Sequence, residues 1–216
     1  MVKLGKSLSY LIGYPYGCVE QTTSKAFPQI YFSDLVKNMR FGNSSGESPV
    51  ENVQAAIVKL QGMQIYNGAL SYWPGNSDES WWGTAYATHF LAESKKAGYE
   101  VNQEVINRCL LYMGQKVKEH QMESDYYYWD YMNVVKNRKI YKKENIYSLF
   151  LMAMYGKADI SSMNFFKSQV DMLALDSRYM LACTYLAIGE RKTYEQLLPK
   201  AFEGEQSKHS FGGSFY

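Results

Sequence analysis

The sequence predicts an all-α protein on three observations. Apolar residues recur at steps of three and four, glycines close the apolar stripes, and no stretch alternates convincingly with period two. Val50, Val53, Ile57 and Leu60 form the first stripe. Ser48-Pro49-Val50-Glu51 opens it with a cap serine, a proline where a helix needs no N–H, and an acidic first turn. A helix running from Ala85-Tyr86 to Gly98 follows, then the stripe Ile106, Leu110, Met113, Val117. Ile146, Leu149, Phe150 and Ala153 form the next stripe, and Phe166, Val170 and Leu173 another. Met180, Leu181, Thr184, Tyr185 and Ile188 come after them, and Tyr194, Leu197, Leu198 and Phe202 come last. Gly98, Gly156 and Gly189 each end a stripe, as expected of the residue that turns left-handed past a helix end.

Three of these helices echo one another. Ala85-Tyr86 to Gly98, Ile146-Tyr147 to Gly156 and Arg178-Tyr179 to Gly189 each run from an aromatic residue through Leu-Ala or Met-Ala to a glycine stop. Such self-similarity predicts stacked helical hairpins whose equivalent helices face a common centre. Two stretches carry no helical period. Between Gln61 and Gly83 lies a long polar-aromatic loop rich in Gly, Asn and Ser, of a size that is usually functional or tightly packed on itself. Between Gln121 and Lys143 stand Tyr126, Tyr127, Tyr128, Trp129 and Tyr131, which read as aromatic packing under a loop.

A chain of 216 residues suits one sizeable domain, here taken as residues 1–216. Hydrophobic residues at 46% against charged residues at 20% exclude a disordered chain. Twenty-three basic and 21 acidic residues leave a net charge of +2, so nothing points to nucleic acid. No apolar run reaches the ~20 residues of a membrane span, and the start MVKLGKSLSYLIGY has neither an apolar core nor a clear cleavage site. The three cysteines, Cys18, Cys109 and Cys183, are too few and too scattered for a disulfide framework. With His89, His120 and His209 equally dispersed, no metal site or cofactor is expected. Cys109 and Cys183 fall in apolar runs and read as buried structural thiols.

Cys18 differs, because it stands in the polar, turn-rich segment Tyr14-Pro15-Tyr16-Gly17-Cys18-Val19-Glu20-Gln21-Thr22-Thr23-Ser24. It is either a core thiol beside a glutamine that opens a helix, or half of a reactive pair. On a turn entering a helix, residues three apart project to the same side, so thiol and carboxamide can meet. Attack of the thiolate on the Gln21 side chain, with loss of ammonia, would close a small ring as an internal thioester, and a helix N-terminus favours thiolates. Gly17 leaves room for the ring, and Tyr14 and Tyr16 are placed to cover it against water.

The string Gly-Cys-Val-Glu-Gln-Thr-Thr-Ser at 17–24 resembles the thioester motif of the α2-macroglobulin and complement family in its bacterial form. Ser71-Tyr72-Trp73-Pro74-Gly75, Ser80-Trp81-Trp82, Thr84-Ala85-Tyr86-Ala87, Gly98-Tyr99, Tyr147-Ser148-Leu149 and Leu186-Ala187-Ile188-Gly189 look like the same family's thioester domain, so the resemblance covers most of the chain. It implies a β-cysteinyl-γ-glutamyl bond between Cys18 and Gln21. Glu20 matches the motif without an assigned role. The implied fold is an α/α toroid of helical hairpins, and because family domains run longer, the toroid is expected to lack its last helices after Phe211 to Tyr216.

The implied function is that of a fragment of a broad-spectrum protease inhibitor. Cleavage of a bait region elsewhere would expose the thioester to an amine of the protease, with Gln21 the acyl donor and Cys18 the leaving thiolate. This is a single-turnover trap and not an enzyme. The implied partners are captured proteases and the other macroglobulin domains of the parent, with no nucleic acid and no direct membrane insertion by this fragment. The implied location is periplasmic, or envelope-anchored through a lipoprotein. Complement-like members carry a histidine that forms an acyl-imidazole. By rough offset it would fall near Asp130 or Tyr131, neither of which is histidine, and His120 reads as a solvated face, so direct attack by amines is implied.

Two other classes stand beside this one. An α/α-toroid enzyme of the terpene cyclase, prenyltransferase or carbohydrate-active type has faint support from Gln64, Gly68 and Trp73 and from the carboxylates Asp125 and Asp130. A non-reactive interaction module would carry the motif without forming the bond.

Overall fold

A computed structural model describes residues 13–38, 48–129 and 134–198. Eight α-helices span the described residues: α1 (Val19–Asn38), α2 (Pro49–Gln61), α3 (Trp81–Lys96), α4 (Gln103–Val117), α5 (Lys143–Met154), α6 (Ile160–Ser168), α7 (Leu175–Ala187) and α8 (Arg191–Leu197). Alternate helices pack side by side in chain order, α1 on α3, α3 on α5 and α5 on α7. Three further helices pack against them, α2 against α1, α4 against α3 and α5, and α8 against α7. This is the toroid-like arrangement of hairpins with equivalent helices on the inside. Its core runs through fully buried Ile57, Leu60, Phe90, Met113, Leu149 and Phe166.

The three echoed inner helices end alike, and the chemistry of the ends explains the echo. Gly98, Gly156 and Gly189 have φ of 92°, 73° and 86°. In each case the glycine N–H and the next N–H fold back onto the last turn. Gly98 and Tyr99 donate to Lys95 and Ser94, Gly156 and Lys157 to Ala153 and Met152, and Gly189 and Glu190 to Leu186 and Tyr185. An added Cβ would meet nothing within 4 Å at any of the three, so the positive φ alone calls for glycine there.

Several expectations change in detail. The aromatic stretch is not a loop but an antiparallel ribbon, β1 (Met122–Trp129) with β2 (Val134–Tyr141), in register from Met122↔Tyr141 to Trp129↔Val134. Ile140 and Tyr141 at its base are buried, while Asp125, Asn137, Arg138 and Lys139 stand in or near solvent. The burial alternation that marks a strand in sequence is therefore missing. The stripe from Phe166 to Leu173 is not one helix, because α6 stops at Ser168 and a 3₁₀ turn, Val170–Met172, follows. Ser48 takes the N-cap position of α2 without a capping side-chain hydrogen bond, and Val50 is exposed. Cys183 is exposed, not buried. Consecutive helical residues point about 100° apart, so in Met180 to Cys183 only Leu181 and Ala182 face inward. His120 is no free solvated side chain, since its ring stacks on Phe165 at 3.8 Å. Phe202 lies outside the described residues.

Candidate functional site

Cys18 sits immediately before the first residue of α1, and its carbonyl accepts the first helical hydrogen bond, from Thr22 N at 2.9 Å. It thus holds the N-cap position, with Gln21 at the third helical residue. Cys-x-x-Gln is then a capping box in which a thiol replaces the usual hydroxyl. The reciprocal half of that motif is present: Cys18 N–H donates to Gln21 Oε1 at 3.1 Å. The carboxamide therefore folds back over the turn to the cysteine. Cys18 is a buried free thiol, and Gln21 is exposed.

Gly17 makes the fold-back possible. Its φ is 105°, and a Cβ there would run into Gln21 Oε1 and lie 2.8 Å from Gln21 Cβ. Lys59, in the last turn of α2, donates from Nζ to Gly17 O at 2.8 Å and to Pro15 O at 3.2 Å. Thr22 Oγ1 reaches the same two carbonyls at 3.4 Å. Farther back, buried Gln29 donates to Gly13 O at 3.1 Å and accepts from Asn52 at 3.0 Å, tying the approach segment to α1 and α2.

The long loop closes the other side. It is folded on itself by bridges Gln64↔Leu70 and Ser71↔Glu79, and Tyr72 O accepts from Val19 N at 3.1 Å. The Tyr72 phenol contacts the Cys18 thiol. That hydrogen bond, with the charges of Cys18 and Glu20, raises its pKa. Burial lowers the pKa of the Lys59 ammonium, and the Cys18 charge pulls it back up. Gly83 in α3 lets α1 approach, since a Cβ there would overlap Val19 Cγ1.

The structure thus brings together Gly17, Cys18 and Gln21. The rings of Tyr14 and Tyr16 meet at a tilt of 46° with centroids 4.4 Å apart, and Tyr16 is 74% exposed. Glu20 is half-buried on the first turn. Sequence reasoning missed Lys59 and Tyr72, which stand 41 and 54 positions after Cys18 and carry no motif of their own.

The residues behind the enzyme alternative have other duties. Gln64 Nε2 donates to Gly68 O, Val105 O and Cys109 Sγ, holding the loop on α4. Trp73 is exposed. Asp125 pairs with Arg138 at 2.9 Å across the ribbon, and Asp130 and Tyr131 lie outside the described residues. Among the described residues no three His, Cys, Asp or Glu side chains gather where a metal could bind. No described helix is long and apolar enough to cross a membrane.

A second cluster lies farther along the inner helices. His89 Nδ1 and Tyr147 OH share a hydrogen bond of 2.9 Å, and Phe27 of α1 meets the His89 ring edge-on at 5.1 Å. Glu93 accepts from Tyr31 at 3.2 Å and Tyr155 at 3.1 Å and pairs with Lys96 at 2.7 Å. Burial pushes the Glu93 carboxyl up, but Lys96, Tyr155 and Tyr31 outweigh it and hold its pKa below the ordinary value.

Residues 1–128 match the family model described as the A-macroglobulin TED domain. The α2-macroglobulin of Escherichia coli K12 is 35% identical over 108 residues, half of this chain and 6% of that protein. The crystal structure of Salmonella α2-macroglobulin reacted with methylamine superposes with a TM-score of 0.70 at 24% identity, covering 90% of this chain and 12% of that one. Trypsin-activated E. coli α2-macroglobulin gives 0.68 at 23%, covering 86% and 12%. At those identities the two structures speak to the fold. The chain spans 6% of the length of the curated E. coli relative.

Proposed function

We propose a function that proceeds from one fact: the chain belongs to the family of A-macroglobulin TED domains. In this reading Cys18 and Gln21 form an internal thioester. Cys18 Sγ bonds to Gln21 Cδ, the carboxamide C–N bond breaks, and the amide nitrogen leaves as ammonia with the thiol proton. An amine then bonds to Cδ, the Cδ–S bond breaks, and Cys18 is released as a thiol. Each molecule reacts once. The observation that carries the reading is the Cys18 N–H to Gln21 Oε1 hydrogen bond over a glycine with no room for a side chain. It sets the acyl carbon beside the cysteine and aims a donor at the oxygen that becomes negative during attack.

In the parent protein the amine would be a lysine of a protease that has cut a bait segment, so the domain would act as the covalent arm of a protease trap together with further macroglobulin domains. Two proteins of similar fold support this: the Salmonella α2-macroglobulin was reacted with methylamine and the E. coli one was activated by trypsin. With bacterial relatives, a periplasmic or envelope-anchored location accompanies the proposal. Tyr14 and Tyr16 would serve as part of the rim, with Tyr72 nearer the sulfur.

The test is peptide mass mapping of the full-length protein after methylamine. A methylamide at Gln21 with a free thiol at Cys18 is expected, and Cys18→Ala should abolish the label while leaving the thermal midpoint within a few degrees. An unmodified glutamine in the full-length protein would sink the proposal.

A further inference from the structure

Lys59, in the last turn of α2, reaches across to the turn before Cys18. Lys59 Nζ donates to the Gly17 carbonyl at 2.8 Å, and the N–H of that same peptide unit, Cys18 N–H, donates to Gln21 Oε1 at 3.1 Å. The three groups form one chain: ammonium, Gly17–Cys18 peptide, Gln21 carbonyl. A cation on the C=O and an acceptor on the N–H polarise the peptide in the same sense, so each hydrogen bond strengthens the other. The second bond, to Pro15 O at 3.2 Å, fixes the ammonium on the turn and keeps its protons facing backbone oxygen.

We infer that Lys59 polarises the Gln21 carbonyl through the Gly17–Cys18 peptide and thereby speeds both closure of the thioester and its opening by an amine. The inference rests on the Cys18–Gln21 bond proposed above. In closure, Sγ adds to Cδ and ammonia departs with the thiol proton. In opening, the amine nitrogen adds to Cδ and the thiolate departs, taking a proton from that nitrogen. Negative charge gathers on Oε1 in both steps, where the Cys18 N–H meets it with Lys59 behind it. Lys59 touches no reacting atom in this scheme, so it is a positioning residue. Its charge reaches the site through one peptide bond, by the hydrogen bond it donates to Gly17 O.

The experiment uses the full-length protein and three variants. Lys59→Arg keeps charge and donors, Lys59→Gln keeps a donor without charge, and Lys59→Met keeps neither. Methylamine incorporation at Gln21 is timed by mass mapping, with thermal midpoints recorded alongside. Lys59→Met should slow incorporation at least about tenfold, with Lys59→Gln between it and a near-normal Lys59→Arg. A second readout ignores loop stability: the isotope-edited carbonyl stretch of the thioester should move to higher frequency in Lys59→Gln than in the parent. Equal rates in the parent and Lys59→Met would overturn the role of Lys59 alone. If Lys59→Met fails to fold, equal rates in the Arg and Gln variants would overturn it instead. A parent that takes no methylamine at Gln21 would overturn the thioester itself, and the role of Lys59 with it.

Discussion

At the scale of single residues, the site depends most on what Gly17 lacks. Alanine there would bring a methyl into the Gln21 carboxamide and would have to hold a φ of 105°, where L residues are strained. Gly17→Ala should therefore cost roughly 1–3 kcal/mol of stability. It should also expel Gln21 from the turn, so that methylamine labelling at Gln21 disappears. A variant that is less stable but labels normally would show that the carboxamide is held some other way. Gly17, Cys18 and Gln21 were legible because they are sequence neighbours, and a capping-box spacing fixes their geometry locally. Lys59 and Tyr72 were not, since their positions are set by the antiparallel packing of α1 on α2 and by the folded-back loop. No short-range pattern records either.

At the scale of elements, the helices were readable where one face is buried and a glycine ends the stripe. α4, with buried Val105, Ile106, Cys109, Leu110, Met113 and Val117, is the clearest. The ribbon was not readable, because the base of β2 is buried while much of the described ribbon faces solvent. The inner helices divide into two ends with different tolerances. At the N-terminal end α1 and α3 approach through Gly83, where a methyl would overlap Val19 Cγ1 and sit 2.7 Å from Ser80 Oγ. Overpacking of that kind costs about 1–3 kcal/mol, and Val19 is the residue next to Cys18. Gly83→Ala should thus lower the thermal midpoint and also slow methylamine uptake at Gln21. At the far end, Gly98→Ala meets open space and costs only backbone strain, about 1–2 kcal/mol. Measured side by side, the first should disturb the chemistry and the second should leave it alone. Equal effects on labelling would mean that the two ends are coupled.

At the scale of the whole molecule, α1, α3 and α5 are joined by the cluster around His89, and that cluster should give the fold a pH response. His89 is packed by Phe27 from α1 and bonded to Tyr147 from α5, with Tyr86, Glu93 and Lys96 the other titratable groups beside it. Burial lowers the His89 pKa, the Glu93 charge pulls it up in part, and Lys96 lowers it further. The unfolded chain binds the histidine proton near pH 6.5, whereas the folded chain resists it until lower pH. In that interval the unfolded state holds more protons, so stability rises with pH. The contribution is complete above about 6.5 and is lost as pH falls towards the folded value. One proton limits the slope to about 1.4 kcal/mol per pH unit. At this chain length each kcal/mol is about 2–4 °C in thermal midpoint. Midpoints compared at pH 7 and pH 5 should fall less in His89→Gln, which accepts no proton, than in the parent. An identical fall in both would place the acid sensitivity elsewhere, with the carboxylate Glu93 the first group to test. Its depressed pKa also makes its contribution one that disappears on acidification, and its two tyrosine partners, Tyr31 and Tyr155, lie on α1 and just past the end of α5. The double variant His89→Gln with Glu93→Gln would then separate proton uptake at the imidazole from loss of the tyrosine–carboxylate clamp that joins the same helices.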